Sequence, residues 1–266
     1  VCLAECLGHK LLAGMLRGGP HYAVAERMLG VQTVPWDSDG QRLLRKVATQ
    51  FGVQDSFTRT PCGVFFGEAG VSVPDPYFGG AGPARTGCTR CGACTMGCDV
   101  GAKNTLVKNY LWFAERAGAR IIPETEVVDI RPLDAIGTPG GSGLADGELG
   151  YAIHTRQSTA WLHRQPRTLR ARGVVMAAGA LGTNRLLARC RLVGGLPKLS
   201  ARLGAMVRTN SESILAVTLP DDRLQPSRDV AISASVHVSH DTHIELVTYG
   251  KRGSVLKLFF TLLTGD

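Results

Sequence analysis

Along this chain the apolar positions repeat in three different ways. Residues 41–50 (QRLLRKVATQ) place Leu43, Leu44 and Val47 at helical spacing between polar residues, and Gly52 with Pro61 closes the segment. Val107, Tyr110, Leu111 and Ala114 fall at i, i+3, i+4 and i+7, which predicts a helix over 106–117. Asn104 or Thr105 is placed to cap it, and Gly118 to end it. Residues 121–130 are rich in β-branched side chains and predict a strand. Residues 151–155 and 168–171 predict paired strands, with 132–150 a turn-rich insertion and Trp161 in the connection. Residues 174–178 are uninterruptedly apolar, the pattern of a strand buried on both faces of a parallel sheet. A small-residue turn at 179–182 and a helix carrying Leu186, Leu187 and Cys190 follow. From Ser211 onward the alternation is two-fold: Ile214, Ala216, Thr218; Val230, Ile232, Ala234, Val236, Val238; Ile244, Leu246, Thr248. That predicts antiparallel strands of a separate sheet.

Length and composition narrow the picture. A chain of 266 residues buries a substantial core, as one large domain or two smaller ones. Thirty-three glycines and 6% aromatics favour a turn-rich α/β architecture over an all-helical bundle. The expected organisation is a lead-in of helices and ordered loop over 1–84, an α/β portion over 85–200, and an antiparallel portion over 201–266. The apolar stretch 255–263 is cut by Lys257, and no apolar run reaches the length of a membrane-spanning helix. The net charge of +8 is scattered, densest at 164–172 and at Lys251 with Arg252, and no aromatic platform interleaves it. A solvated basic surface is therefore expected, and no nucleic-acid partner. The first residues lack the pattern of a signal peptide, and both ends read as cut. The expected location is cytoplasmic or peripheral to a membrane.

Candidate chemistry concentrates in residues 86–105, TGCTRCGACTMGCDVGAKNT. Cys88, Cys91, Cys94 and Cys98 follow C-x2-C-x2-C-x3-C, the spacing of a ferredoxin-type 4Fe–4S ligand run, although Asp99 stands where proline is usual. Disulfides and an all-cysteine zinc site compete with that reading, the zinc site against gaps too short for two ligand pairs. His237, His240 and His243 also invite a metal, but in a strand pattern the three do not share a face. No G-x-G-x-x-G dinucleotide fingerprint occurs.

Several stretches in order resemble the GMC (glucose–methanol–choline) FAD-dependent oxidoreductases, and within them the sterol-oxidising branch. They are PHYAVAERMLGV (20–31), VPDPYFGGAGPARTGC (73–88), CTMGCDVGAKNTLVKNYL (94–111), VVMAAGALGTNRLL (174–187), LPKLSARLGAMVRTNSES (196–213) and THIELVTYGKRGS (242–254). The resemblance covers roughly 20–266. It implies the central part of a Rossmann-like FAD domain joined to an antiparallel-sheet substrate domain, an α/β plus α+β fold. In such enzymes the ADP-binding glycines precede, and the catalytic histidine follows, the segment seen here. The implied reaction is hydride transfer from the CH–OH group of an alcohol, such as cholesterol or another sterol, to FAD, with oxygen or another acceptor reoxidising the flavin. By the resemblance Val127 meets the adenine, and Ala178, Gly179 and Ala180 lie against the adenosine and pyrophosphate. Glu245 is the acid that moves a proton between C4 and C6 of the oxidised steroid. A surface carboxylate paired with Lys251 or Arg252 is the competing reading of Glu245. The family also offers a fourth reading of the cysteines, a compact turn ahead of the helix, beside an iron–sulfur electron-transfer module.

Overall fold

Ser38 begins the first well-packed element. Its Oγ accepts a hydrogen bond from the Gln41 amide at 3.2 Å, capping a helix over Asp39–Gln50 whose Leu44 and Ala48 are buried. The computed structural model describes residues 12–140, 145–207, 212–217 and 223–250. In chain order the elements are α1 (Leu12–Leu29), β1 (Gln32–Thr33), α2 (Asp39–Gln50), β2 (Thr58–Arg59), β3 (Pro61–Cys62), β4 (Ser72–Val73) and β5 (Arg85–Thr86). Then come α3 (Tyr110–Arg116), β6 (Thr125–Pro132), β7 (Tyr151–Gln157), β8 (Arg167–Ala171), α4 (Gly179–Leu192), β9 (Ile232–His237) and β10 (His243–Val247). They fall into two compact units: residues up to Ala119 with those from Ser213 onward, and Arg120–Glu212.

The first unit is built around an antiparallel sheet of order β10–β9–β2. The alternation along β9 turns Ala234 and Val236 onto Leu44 and Ala48 of α2, with Val53, Phe57 and Leu246 closing the cluster. A second core gathers Val34, Val64, Cys88, Ala102 and Val230, flanked by Trp36 and Phe66, whose rings meet edge to face at 4.9 Å. Asp229, fully buried, joins sequence-distant parts: Oδ1 accepts from Trp36 Nε1 at 2.9 Å and Oδ2 from Gln41 Nε2 at 3.3 Å.

The second unit is the antiparallel meander β6–β7–β8, with α4 packed on β6. A β-carbon added at Gly195 would overlap Asp129 Oδ1 and stand 2.8 Å from the Ile130 carbonyl, so only glycine lets the chain pass β6 here.

Several expectations change. Residues 174–178 form no strand, and Val175 is 90% exposed. A strand exists only as a paired ladder, and no described strand lies beside this run. All paired strands among the described residues are antiparallel, so the parallel layer is not seen. The turn foreseen at 179–182 is instead the first turn of α4. The helix foreseen over 106–117 splits into a 3-10 turn at Leu106–Lys108 and α3. Asn109 caps α3, accepting from the Tyr110 amide at 2.7 Å; Thr105 precedes the 3-10 turn without a side-chain cap bond, and Asn104 accepts from Arg85 Nε at 2.6 Å. Residues 212–217 are exposed and carry no strand, while 218, 251–252 and 255–263 lie outside the described residues.

Candidate functional site

In the second unit Val127 sits half-buried on β6 opposite Thr155, immediately before a register irregularity that ends at Asp129. Past it, Asp129 accepts from the Ile130 amide at 2.9 Å and from Arg131 Nε at 2.8 Å, which fixes the strand's direction. The last turns of α4 grip this strand: Cys190 is fully buried, and that burial, reinforced by the neighbouring Asp129 carboxylate, pushes its thiol up. The other end of α4 is open. Gly179 adopts φ +75° with open space where a β-carbon would stand, and Ala178 and Ala180 are exposed. The Ala178 amide donates to Thr183 Oγ1 at 3.0 Å, and Asn184 Nδ2 donates to the Ala180 carbonyl at 2.7 Å. No acidic side chain lies in this first turn. The start of a 14-residue helix with small exposed residues and no carboxylate is a surface where backbone amides are available to an anionic group. Val127 of β6 lies in the same unit as this helix start.

Glu245 lies in the first unit, on β10. It pairs with Ser235 of β9, whose hydroxyl lies 3.0 Å from Thr58 Oγ1 on β2. Its Oε1 is 3.6 Å from His243 Nε2, and the two side chains are 20% and 25% exposed. His243 stands directly opposite His237, with ring centroids 5.4 Å apart. Two of the three histidines therefore do meet, across strands rather than along one, while His240 is in the exposed turn beside Asp241. Sequence spacing missed His243 as a partner of Glu245. The available signal was the His-x-Glu pair, which a strand's period of two puts on one side.

The cysteine segment is pinned as a loop of the first unit. Gly92 donates to the Asp229 carbonyl at 2.7 Å, and Lys103 Nζ to the Cys94 carbonyl at 3.0 Å. Cys88 is buried in the Val34–Val230 core, Cys94 and Cys98 are half-buried against it, and Cys91 is exposed. Burial pushes the Cys88 thiol up to about 11 and raises that of Cys94 as well. Cys88 Sγ accepts from the Arg90 amide and Cys98 Sγ from the Lys103 amide, both at 3.4 Å. All four are free thiols. Among the described residues no group of three or more His, Cys, Asp or Glu is arranged to hold a metal ion. The iron–sulfur alternative thus finds no support: thiols buried in an apolar core resist becoming the thiolates a cluster needs.

Sequence reading also passed over Arg85. It is buried, with Nε on Asn104, Nη2 on the Lys108 carbonyl at 2.7 Å and Nη1 on the Pro83 carbonyl. This guanidinium ties β5 to the segment entering α3.

Residues 83–198 match the family described as GMC oxidoreductase. Cholesterol oxidase of Mycobacterium tuberculosis (strain ATCC 25618 / H37Rv) is 48% identical over 254 residues, covering 92% of this chain and 41% of that protein. Cholesterol oxidase of Acinetobacter baumannii is 43% identical over 247 residues, covering 91% of this chain and 43% of that protein. The chain thus spans 41–43% of the length of these curated relatives. No solved structure matches it. The matched segment takes in the cysteine loop, the β6–β8 meander and the open start of α4, and with these relatives it shows that the chain belongs to the GMC oxidoreductase family.

Proposed function

We propose that this chain carries part of the apparatus by which a flavin enzyme oxidises the 3-hydroxyl of a sterol to a ketone. The observation that carries the reading is the 48% identity to a cholesterol oxidase along 92% of the chain. In this reading FAD, when bound, accepts the hydride, and oxygen or another acceptor removes the electrons. Val127 presents its strand to the adenine, and the exposed small-residue start of α4 at Ala178, Gly179 and Ala180 lies against the pyrophosphate. Glu245 takes a proton from C4 of the 3-keto product and returns it to C6, shifting the double bond.

The flavin assignment is tested with Ala180→Glu. An acid in the first turn of α4 favours the helix dipole, so the fold keeps its stability. The same charge repels a pyrophosphate, and FAD affinity should fall by about tenfold, on the order of 1.4 kcal/mol. The measurement is quenching of flavin fluorescence on titration with the purified chain, with thermal unfolding alongside. Equal affinity in both proteins would remove the start of α4 from the site.

A further inference from the structure

We propose that His243 is the positioning residue for Glu245, holding one carboxylate oxygen so that the other is free to carry a proton. The inference rests on the role given to Glu245 above and extends it to a residue outside that reading. Three observations converge. His243 Nε2 lies 3.6 Å from Glu245 Oε1, with both side chains about three-quarters withdrawn from water. Ser235, the register partner of Glu245 on β9, is buried and pairs with the Thr58 hydroxyl at 3.0 Å. On its far side the His243 ring meets the His237 ring at 5.4 Å and 34°, which restricts its rotation.

Among the described residues, the other charges on the neighbouring elements are paired elsewhere or exposed. In the β9–β10 turn, Asp241 accepts from Ser239 and Thr242 and lies 3.8 Å from His240. Arg59 of β2 reaches Asp37 at 2.7 Å, as Arg45 of α2 does at 3.7 Å. Asp39 and Arg42 pair with each other, and Lys46 of α2 is exposed. Helix α2 meets this sheet through Leu44 and Ala48, on the face of Ala234, Val236 and Leu246. His237, His243 and Glu245 are thus the titratable groups that β9 and β10 bring together at this place.

The chemistry balances without a co-reactant. The Glu245 carboxylate takes the C4 proton, and the electron pair of that C–H bond passes into the enolate of the 3-ketone. The protonated carboxyl then delivers its proton to C6, the double bond moves from C5–C6 to C4–C5, and the carboxylate is restored. Closing from 3.6 Å to hydrogen-bond distance, a His243 N–H engages Oε1 and leaves the other carboxylate oxygen to face the steroid.

The test uses the full chain and a steroid already oxidised to the 5-en-3-one, so no flavin turnover is needed. His243→Ala should lower kcat for isomerisation about tenfold at unchanged KM and move the acid limb of the pH–rate profile, and His243→Gln should restore part of the rate. Independently of activity, 15N shifts of the His243 imidazole should show its proton on Nε2 in the wild type, and lose that preference in Glu245→Ala. A His243→Ala chain with the wild-type rate and profile, or an imidazole indifferent to Glu245, overturns the proposal. If Glu245→Gln isomerises normally, or the wild type isomerises nothing, the role of Glu245 itself falls, and with it the positioning function. In that case the 15N result still reports whether the two side chains are coupled.

Discussion

Asp75 shows how much one side chain can organise. Its carboxylate accepts from the amides of Tyr77, Phe78, Gly80 and Gly82 at 2.9–3.1 Å, closing the glycine- and proline-rich loop between β4 and β5 on itself. Burial alone would raise its pKa. The four amides outweigh that and hold the carboxyl below its ordinary 3.8. The folded form is then the stronger acid, so the stabilisation is complete above the ordinary carboxylate range and disappears as pH falls through the lowered value. Asp75→Asn should cost about 1–2 kcal/mol at neutral pH, discounted for solvent screening. The gap to wild type should close in strong acid, as measured by urea unfolding at several pH values. A gap constant with pH would mean that the charge plays no part. That residues 68–87 form an ordered loop was legible in their glycines and prolines. Which amides the carboxylate collects was not, because that depends on the path of the whole loop.

Single elements followed the apolar pattern where burial was local. Helix α2 is amphipathic in sequence and packs by that face, and β9 and β10 obey their two-fold alternation. The pattern failed where it counted on a neighbour. Residues 174–178 have the apolar content of an interior strand but no ladder beside them. α3 starts only at Tyr110, after a separate 3-10 turn, so its cap is Asn109 and not the Asn104 or Thr105 that the longer helix would have used. The fit of α4 on β6 is a contact between elements that neither sequence announces, and Gly195→Ala tests it. Asp129 is held by the Ile130 amide and cannot swing away freely, so the added methyl forces β6 to shift. The expected loss is about 1–3 kcal/mol, read as a lower unfolding temperature with reduced protection of the Ile130 and Arg131 amides from hydrogen exchange. Wild-type stability would show that the backbone yields at no cost.

Across the whole molecule, the first unit is made from both ends of the described chain. β2 pairs with β9, and Asp229 receives Trp36 and Gln41 from almost two hundred residues away. Asp229→Ala leaves the Trp36 indole N–H and the Gln41 amide unpaired in the interior, and should cost about 2–4 kcal/mol. Urea unfolding followed by tryptophan fluorescence measures it, and an unchanged midpoint would show that other groups take over the donors. The order of motifs was sufficient by itself for the family, because side-chain identity at fixed spacing survives in the linear chain. The alternation of apolar residues likewise determined α2, the meander and the β9–β10 pair, since each buries one face against near neighbours. Only the tertiary structure decided that Cys88 is a core residue with Cys94 and Cys98 half-buried against it, that His243 stands beside Glu245, and that 174–178 pairs with no described strand. Those outcomes depend on which distant segments meet, and loop closure between distant segments leaves no periodic trace in sequence.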